Sequence, residues 1–368
     1  FPLRFHPNEL HVRKTLAERG RGYLQLSGSV CKEYEGMGIN MQFEANRWVE
    51  KKFYTSGRIM IDPATFRIKL PNSQLLDPDV TEILQPEDIL ENDLIFCNHR
   101  VLGFSFAVKM WGAFAIPKLR EVVWDMTAIN KLIIEAKRRD YIASLVRGHA
   151  FSDTGFDDVI RGKGQGLVGL LSGAPGTGKT LTAEVVAELT RRPLYVVTAS
   201  ELSIDVESLD QSLEDIMSTA HRWSCILLID EAETYLRKRT EGHMQQNSLV
   251  TIFLRRLEYF RGIAILTTNR RQDIDDAFKS RIHFRFHYPP LNESGRLAIW
   301  QNFLPQFSTD DLKEFARFEI NGREIKNTIA CATTICQAQK RPLAIDVIRE
   351  SLENSSSSWD ESEDAVSA

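Results

Sequence analysis

A glycine-rich segment carries the most specific chemistry in this chain of 368 residues. Residues 173–180 read GAPGTGKT, between a short apolar run and a segment with helical spacing. Such a turn points several backbone N–H groups at one spot, and the following helix adds the positive end of its dipole. We expect Lys179 to reach the β- and γ-phosphates of a bound ATP, and the hydroxyl of Thr180 to meet Mg²⁺.

Because the segment lies between a predicted strand and a predicted helix, a phosphate-binding loop is a better interpretation than a glycine-rich turn with a surface lysine. The predicted cofactors are therefore ATP and Mg²⁺, with Lys179 also a catalytic residue. The predicted nucleotide contacts are Gly173, Ala174, Pro175, Gly176, Thr177, Gly178, Lys179, Thr180 and Leu181.

Two acidic residues follow a second apolar run, residues 226–229. We expect Asp230 to hold Mg²⁺ through its water shell, and Glu231 to polarise the water that attacks the γ-phosphate. A third run, residues 263–266, leads into Thr267, Thr268 and Asn269. The amide of Asn269 can orient that water, although an Asn that only caps a turn is the alternative.

Composition places few limits on function. The chain is 43% apolar and 26% charged, which is ordinary for a globular protein, and its net charge of -4 does not favour nucleic acid as the main partner. The five cysteines are scattered, without a CxxC pair, and favour reduced thiols in an intracellular compartment. Cytoplasm and nucleus fit best, and the mitochondrion stays open. The chain begins with Phe1, from which we expect a fragment of a longer protein, so a targeting signal would be out of view.

The chain divides into five predicted segments. Residues 1–126 form a strand-rich recognition domain, α+β or mainly β, and residues 127–150 a helical linker. Residues 151–288 alternate strands and helices, which predicts an α/β nucleotide-binding domain with a parallel sheet flanked by helices. Residues 289–353 form a small helical lid, and the Ser-rich acidic residues 354–368 a disordered tail. The strands predicted in the first segment are residues 23–26, 58–61, 94–96, 103–108, 114–116 and 122–124.

The motif order GAPGTGKT, ILLIDE, TTN and DAFKSR resembles that of an AAA-family ATPase, over residues 156–343. This resemblance implies a P-loop α/β fold and contacts to adenine from Asp158 and Val159. It also implies that Arg281 is an arginine finger reaching a neighbouring subunit's site, with Arg285 the weaker second candidate. Arg323 matches a lid position that contacts phosphate, and a plain helix-start arginine is the alternative.

The whole chain further resembles fungal AAA proteins that carry an uncharacterised N-terminal domain. Its ATPase half is similar to the AAA protein that assembles mitochondrial respiratory complex III. These resemblances imply a homo-oligomeric ring, a hexamer or heptamer, whose N-terminal domain binds an unknown protein substrate. A nucleotide-gated binding platform with slow hydrolysis and a nucleic-acid-directed ATPase are the alternatives.

One segment departs from the family pattern. Many AAA unfoldases carry an aromatic residue and a glycine in the loop after the second strand, where the loop grips a threaded polypeptide. Residues 200–213 contain neither. Threading by stacked aromatic loops is therefore not predicted. Movement of folded cargo and a nucleotide-dependent switch fit equally well, and the apolar residues of the loop are open to a plain packing role.

Overall fold

The computed structural model describes residues 3–44, 46–76, 88–151, 166–270 and 273–364, without the side chains of residues 146, 147, 149–151 and 355–364. The chain forms two compact units. The first comprises Phe1–Trp124, Pro193–Val196 and Asp215–Cys225, and the second comprises Asp125–Arg192, Val197–Glu214 and Ile226–Ala368. In the described part of the chain, none of the helices combines the length and apolar character needed to cross a bilayer.

The first unit is built on a small antiparallel sheet. Its elements are α1 (Glu9–Leu24), β1 (Val30–Glu44), β2 (Arg47–Ile61), α2 (Pro63–Lys69), β3 (Arg100–Ser105), β4 (Met110–Ala115) and β5 (Leu119–Arg120). Strand β1 pairs with β2, β4 and β5, and β3 pairs with β2 and β4, so four strands close on themselves. Its core contains Tyr34, Ile59, Ile61 and Phe114, all at most 2% exposed. The prediction of a separate strand-containing domain is confirmed.

Three of the predicted strands in this unit are wrong. Residues 23–24 end α1 and residues 94–96 end a 3-10 helix (Glu91–Phe96), while residues 122–124 are not in a strand. Gly20 lets α1 pack closely against residue 94, because a side chain at position 20 would stand 2.1 Å from the Leu94 carbonyl oxygen. A tertiary contact therefore decides this segment, and the short apolar run at residues 23–26 is too local to show it.

A buried carboxylate organises the first unit. Asp62 is 2% exposed and begins α2, where it accepts hydrogen bonds from the Thr65 backbone N–H and hydroxyl. It also accepts from the Ser29 hydroxyl and from Nε1 of Trp223, at 2.9 and 2.8 Å. Burial works to raise the pKa of Asp62, but the hydrogen bonds from Thr65, Trp223 and Ser29 outweigh it and hold the pKa below its ordinary value.

We expect Asp62→Asn to lower the free energy of unfolding of the first unit by about 2 kcal/mol at pH 7, since an amide cannot accept all four hydrogen bonds. The contribution of the charge is complete above pH 3.8, the ordinary pKa, and is lost as the pH falls through the lower folded pKa. Urea unfolding followed by tryptophan fluorescence at pH 7 and near pH 3 measures this difference. Exposed Asp93→Asn is the control, and equal losses from both variants would contradict the assignment.

The second unit is built on a parallel sheet. In chain order, the elements through this sheet are α3 (Ala136–Phe151), β6 (Leu167–Gly173), α4 (Lys179–Thr190), β7 (Leu194–Thr198), α5 (Val206–Arg222), β8 (Ile226–Asp230), α6 (Glu233–Leu236), α7 (Met244–Tyr259), β9 (Ile263–Thr268) and β10 (Phe284–Tyr288), of which β7 and α5 have residues in both units. The sheet has five strands in the order β10-β6-β9-β8-β7, and β6 pairs in parallel with β10 and β9, as β8 does with β9. Strands β6 and β9 are buried along their whole length, which explains their continuous apolar sequences. The predicted α/β fold is confirmed.

The predicted helical linker is shorter than its periodicity suggests. Residues Ala128–Lys131 form a 3-10 helix, and α3 begins only at Ala136. Ala128 of the 3-10 helix and Ala143 of α3 both pack against Val185 and Leu189 of α4. The helical spacing of apolar residues therefore comes from two separate elements that pack on the same helix.

Four helices follow the sheet, as the predicted lid requires: α8 (Glu293–Phe303), α9 (Thr309–Ala316), α10 (Gly322–Ala338) and α11 (Ile345–Asp364). Their common core centres on Trp300, Phe315 and Ile325, each fully buried. Helix α11 runs to Asp364, which differs from the disordered tail predicted from residue 354. The segment lacks Gly and Pro, so nothing in its backbone chemistry ends the helix at the predicted boundary.

Candidate nucleotide-binding and hydrolysis site

The loop between β6 and α4 has the backbone of an anion cradle. Gly173, Gly176 and Gly178 have φ values of 151°, 72° and 100°, a region that other L-residues adopt only at a cost. Gly178 precedes the first turn of α4, and no side chain caps that turn. The N–H groups at this helix start are therefore available to an anion, which fits the phosphates of ATP.

Lys179 lies at the centre of this loop. It is 8% exposed, and its Nζ donates to the carbonyl oxygens of Gly173 and Ala174 and to Oδ1 of Asn269, at 2.7, 2.8 and 2.9 Å. Burial lowers the pKa of Lys179, and the charges of Asp230 and Glu233 oppose that shift. The structure thus brings two predicted catalytic residues, Lys179 and Asn269, into direct contact.

Thr180 and Asp230 face each other as the predicted metal pair. The Thr180 hydroxyl lies 3.4 Å from both carboxylate oxygens of Asp230. A hydroxyl and a carboxylate are suitable ligands for Mg²⁺, which binds oxygen and usually keeps several waters. The donor set of these two residues therefore fits the ion that the sequence predicts.

Glu231 directly follows the strand that carries Asp230. It is exposed and has a φ of 56°, a left-handed conformation that costs a non-glycine residue about 1–3 kcal/mol. This turn separates the two carboxylates, with Asp230 directed at Thr180 and Thr267. Asn269, also exposed, follows the adjacent strand β9. Both side chains are therefore accessible from solvent at the strand ends, with Oδ1 of Asn269 also bonded to Lys179.

The lid contacts the phosphate loop directly. The Gly322 N–H donates to the Gly176 carbonyl oxygen at 3.0 Å, and a side chain at Gly176 would stand 2.2 Å from Oδ1 of Asn321. Asn321 caps α10 by accepting from the backbone of Arg323 and Glu324. The Arg323 charge also lowers the pKa of Lys179. Arg323 is thus both a helix-start residue and a cation whose field reaches the phosphate loop.

The remaining predicted contacts have different surroundings. Ala174 and Pro175 are exposed in the loop, and the Thr177 hydroxyl donates to the Ala174 carbonyl oxygen at 2.8 Å. Leu181 is 37% exposed on the first turn of α4. Asp158 and Val159 lie outside the described residues.

Arg281, the predicted arginine finger, is held within its own subunit. Its guanidinium donates to Oε2 of Glu258 at 3.0 Å and to the carbonyl oxygen of Ala277 at 3.0 Å. Arg285 is exposed on β10. Within the described part of the chain, neither arginine donates a hydrogen bond to Asp230 or Asn269, so a role for Arg281 at a nucleotide would concern a second subunit.

A cavity of about 430 Å³ lies beside the phosphate loop. Its volume is in the range of small-molecule sites. Arg138 in its wall donates to the His287 carbonyl oxygen at 3.0 Å. The cavity is lined by Ile133, Ile134, Glu135, Arg138, Thr177, Phe286, His287, Tyr288, Pro289, Pro290, Leu291, Asn292, Ser294 and Gly295.

Three further residues of the site have no role predicted from the sequence. Thr267 donates to Asp230, Glu233 accepts the Asn269 backbone N–H at 2.5 Å, and Asn321 meets Gly176. The acid two positions after Glu231 could have drawn attention to Glu233. The roles of Thr267 and Asn321 depend on which elements are neighbours in space.

Part of this chain is similar to known proteins. The profile of the ATPase family associated with various cellular activities (AAA) matches residues 169–290. An ATPase family AAA domain-containing protein, FIGL1 of Arabidopsis thaliana, is 30% identical over 205 residues, or 50% of this chain and 30% of the relative. Spastin of Sus scrofa is 30% identical over 192 residues, with the same two shares. A crystal structure of the FIGL-1 AAA domain in complex with ADP is 19% identical, has a TM-score of 0.49 and covers 66% of this chain and 92% of the solved chain.

Residues 169–290 are thus an AAA ATPase domain, as the motifs predict. Over that part the chain matches the AAA family model, and it is similar to fidgetin-like proteins and to spastin. It spans about 30% of the length of the curated relatives described above. The finer resemblances, to the fungal group and to the complex III assembly protein, stay predictions.

Proposed function

We propose that this protein is an oligomeric ATPase that couples Mg²⁺-dependent hydrolysis of ATP to the remodelling or movement of a protein partner. The observation that carries the proposal is the convergence of Lys179, Thr180, Asp230 and Asn269 at one edge of the parallel sheet. Because β6, β8 and β9 are parallel neighbours, their carboxyl ends meet at this edge. A triphosphate in the loop would be within reach of all three strand ends.

Each side chain has a separate task in this proposal. Lys179 exchanges carbonyl partners for phosphate oxygens, while Mg²⁺ held near Thr180 and Asp230 would neutralise charge on the β- and γ-phosphates. Glu231 accepts a proton from the attacking water as that water bonds to the γ-phosphorus and the bond to the ADP oxygen breaks. Asn269 orients the water through its amide.

Arg281 supplies the argument for an assembly. In related P-loop enzymes a trans arginine stabilises transition-state charge by about 10³–10⁵ in rate. For Arg281 to act in this way, its guanidinium would leave Glu258, and both side chains are only partly buried, at 28% and 29% exposure. A ring of six or seven subunits gives every site such a neighbour.

The loop between β7 and α5 bears on the kind of protein partner. In the loop between β7 and α5, Leu202 is buried and Ile204 is 68% exposed. A single exposed aliphatic side chain offers less grip than the stacked aromatic residues of threading enzymes. We favour a partner that is moved or remodelled in folded form, recognised by the first unit.

Mixing two inactive variants tests the proposal. We expect Arg281→Ala and Glu231→Gln to be inactive alone, and their equimolar co-assembly to regain activity at about a quarter of the sites, since in a head-to-tail ring each active site needs Glu231 and a neighbour's Arg281. ATP turnover and native mass are measured together over a range of protein concentrations. Arg285→Ala is the matched control.

Two results would count against this function. Turnover per subunit that stays constant on dilution to monomer would remove the need for an assembly. Tight ATP binding with negligible turnover in every assembled state would favour the nucleotide-gated platform instead.

A further inference from the structure

The buried hydroxyl of Thr267 makes two directed hydrogen bonds beside the proposed reaction centre. Thr267 is 1% exposed and lies in β9, opposite Leu171 of β6. The preceding residue, Leu266, lies opposite Ile229 of β8. Its Oγ1 accepts the Glu231 backbone N–H at 2.9 Å and donates to Oδ1 of Asp230. Because a backbone N–H can only donate, the hydroxyl proton is left for the carboxylate.

The backbone of Thr267 makes a third contact to the same segment. Its carbonyl oxygen accepts the Ala232 N–H at 2.9 Å. One residue therefore holds Asp230, Glu231 and Ala232, and the middle of these has the left-handed φ of 56°. Such a conformation persists only where the surroundings determine it strongly.

We infer that Thr267 is a positioning residue for hydrolysis: its hydroxyl aims the Asp230 carboxylate at the metal pair and fixes the turn that presents Glu231. Thr267 contacts neither nucleotide nor water in this role and acts through its two neighbours. The inference rests on the proposed function, because it assigns Asp230 and Glu231 the tasks given above. Thr267 is the first residue of the TTN segment, but the sequence does not show which of its two threonines meets Asp230.

A packing role is the competing explanation, because Thr267 is fully surrounded. Valine has nearly the same shape and lacks the hydroxyl, whereas serine keeps the hydroxyl and loses a methyl group. If packing were the only role, Thr267→Ser would be the more damaging change. If the hydroxyl positions the acids, Thr267→Val is the damaging one and Thr267→Ser restores function.

The test compares Thr267→Val, Thr267→Ser and Thr190→Val. Thr190 is the matched control, since it is a buried threonine of the same unit whose hydroxyl donates only to carbonyl oxygens of its own helix. For Thr267→Val we expect kcat to fall and the half-saturating Mg²⁺ concentration to rise, each by about 10- to 100-fold, the usual effect of losing a residue that orients a metal ligand. We expect Thr267→Ser to stay within about threefold of the native chain.

Two readouts do not depend on turnover. Nucleotide affinity without Mg²⁺ should be unchanged in Thr267→Val, while the gain in affinity on adding Mg²⁺ should shrink. Amide hydrogen exchange of Glu231, followed in the nucleotide-free protein, should accelerate in Thr267→Val and not in Thr190→Val.

The outcomes separate the two proposals. Thr267→Val with native Mg²⁺ dependence and native Glu231 exchange would overturn the positioning role, as would Thr267→Ser that is no better than Thr267→Val. A native chain with no turnover in any state would overturn the proposed hydrolysis alone, and the Mg²⁺-dependent affinity and the exchange rate would still decide the role of Thr267.

Discussion

Glu231→Gln is expected to lower ATP turnover by about 10²- to 10⁴-fold, the range for removal of a general base. ATP binding should survive, because the proposed phosphate contacts come from Lys179 and the glycine loop, and Lys179 bonds to Gly173, Ala174 and Asn269 rather than to Glu231. Glutamine has the same shape and cannot accept the proton of the attacking water. The backbone hydrogen bond from Glu231 to Thr267 is independent of the side chain, so the strained turn should also be retained.

The measurement is single-turnover hydrolysis beside equilibrium binding of ATP. Glu207→Gln, an exposed glutamate on α5, is the control for a general change in surface charge. Equal loss of binding and turnover in Glu231→Gln would show that Glu231 supports the site's structure. Undiminished turnover would pass the role of base to another group, with Glu233, two positions further along the chain, as the first candidate.

Local sequence predicts the phosphate loop well because its chemistry is local. Three glycines with left-handed backbone, a lysine and a threonine act within eight consecutive residues, and the flanking strand and helix are marked by continuous apolar and helical spacing. The same holds for Asp230 and Glu231 at the end of β8. Each of these residues gets its position from the element that it directly follows.

The supporting contacts are non-local, and no local pattern marks them. Thr267 acts because β8 and β9 are neighbours with Ile229 opposite Leu266, a register that the sequence of either strand leaves open. Asn321 reaches Gly176 only because the lid folds back to the loop, over 145 positions of sequence. The first unit likewise includes Pro193–Val196 and Asp215–Cys225, far from its other residues in the chain.

Arg281 illustrates a different limit. Its place in the motif predicts a partner in another subunit, whereas the fold shows Glu258 as its partner within the chain. The two are compatible if, on assembly, the Arg281 guanidinium leaves Glu258 and binds the phosphate of ATP in the neighbouring subunit. The sequence therefore predicts the arginine and the fold adds the contact that must be broken, which is a cost that an assembled state has to offset.

Lys179→Met is the second large effect that we expect. Hydrogen bonds from a charged group contribute about 1.5–3 kcal/mol each, so the loss of the ammonium should weaken ATP binding by about 10- to 100-fold or more. Folding should be affected much less. Three oxygen acceptors, on Gly173, Ala174 and Asn269, lose their donor, but a largely desolvated cation is also removed.

Thermal unfolding with and without ATP separates these effects. At 100 times the dissociation constant, a ligand stabilises the native state by about 2.7 kcal/mol, whereas binding that is 10- to 100-fold weaker leaves about 0.4–1.4 kcal/mol at the same ATP concentration. ATP should therefore raise the melting temperature of the native chain clearly more than that of Lys179→Met. The exposed Lys313→Met is the control for loss of a positive charge. An ATP-induced shift in Lys179→Met equal to that of the native chain would contradict the central role of this lysine.

Lys179→Arg tests whether the site requires the compact shape of an ammonium as well as its charge. It keeps the charge, yet a guanidinium is planar and needs more room than an ammonium with three donors. Lys179 Nζ donates to three oxygens within 3 Å, on Gly173, Ala174 and Asn269, and its side chain is only 8% exposed. We therefore expect Lys179→Arg to bind ATP no better than Lys179→Met, because this site requires a compact cation as well as a positive charge.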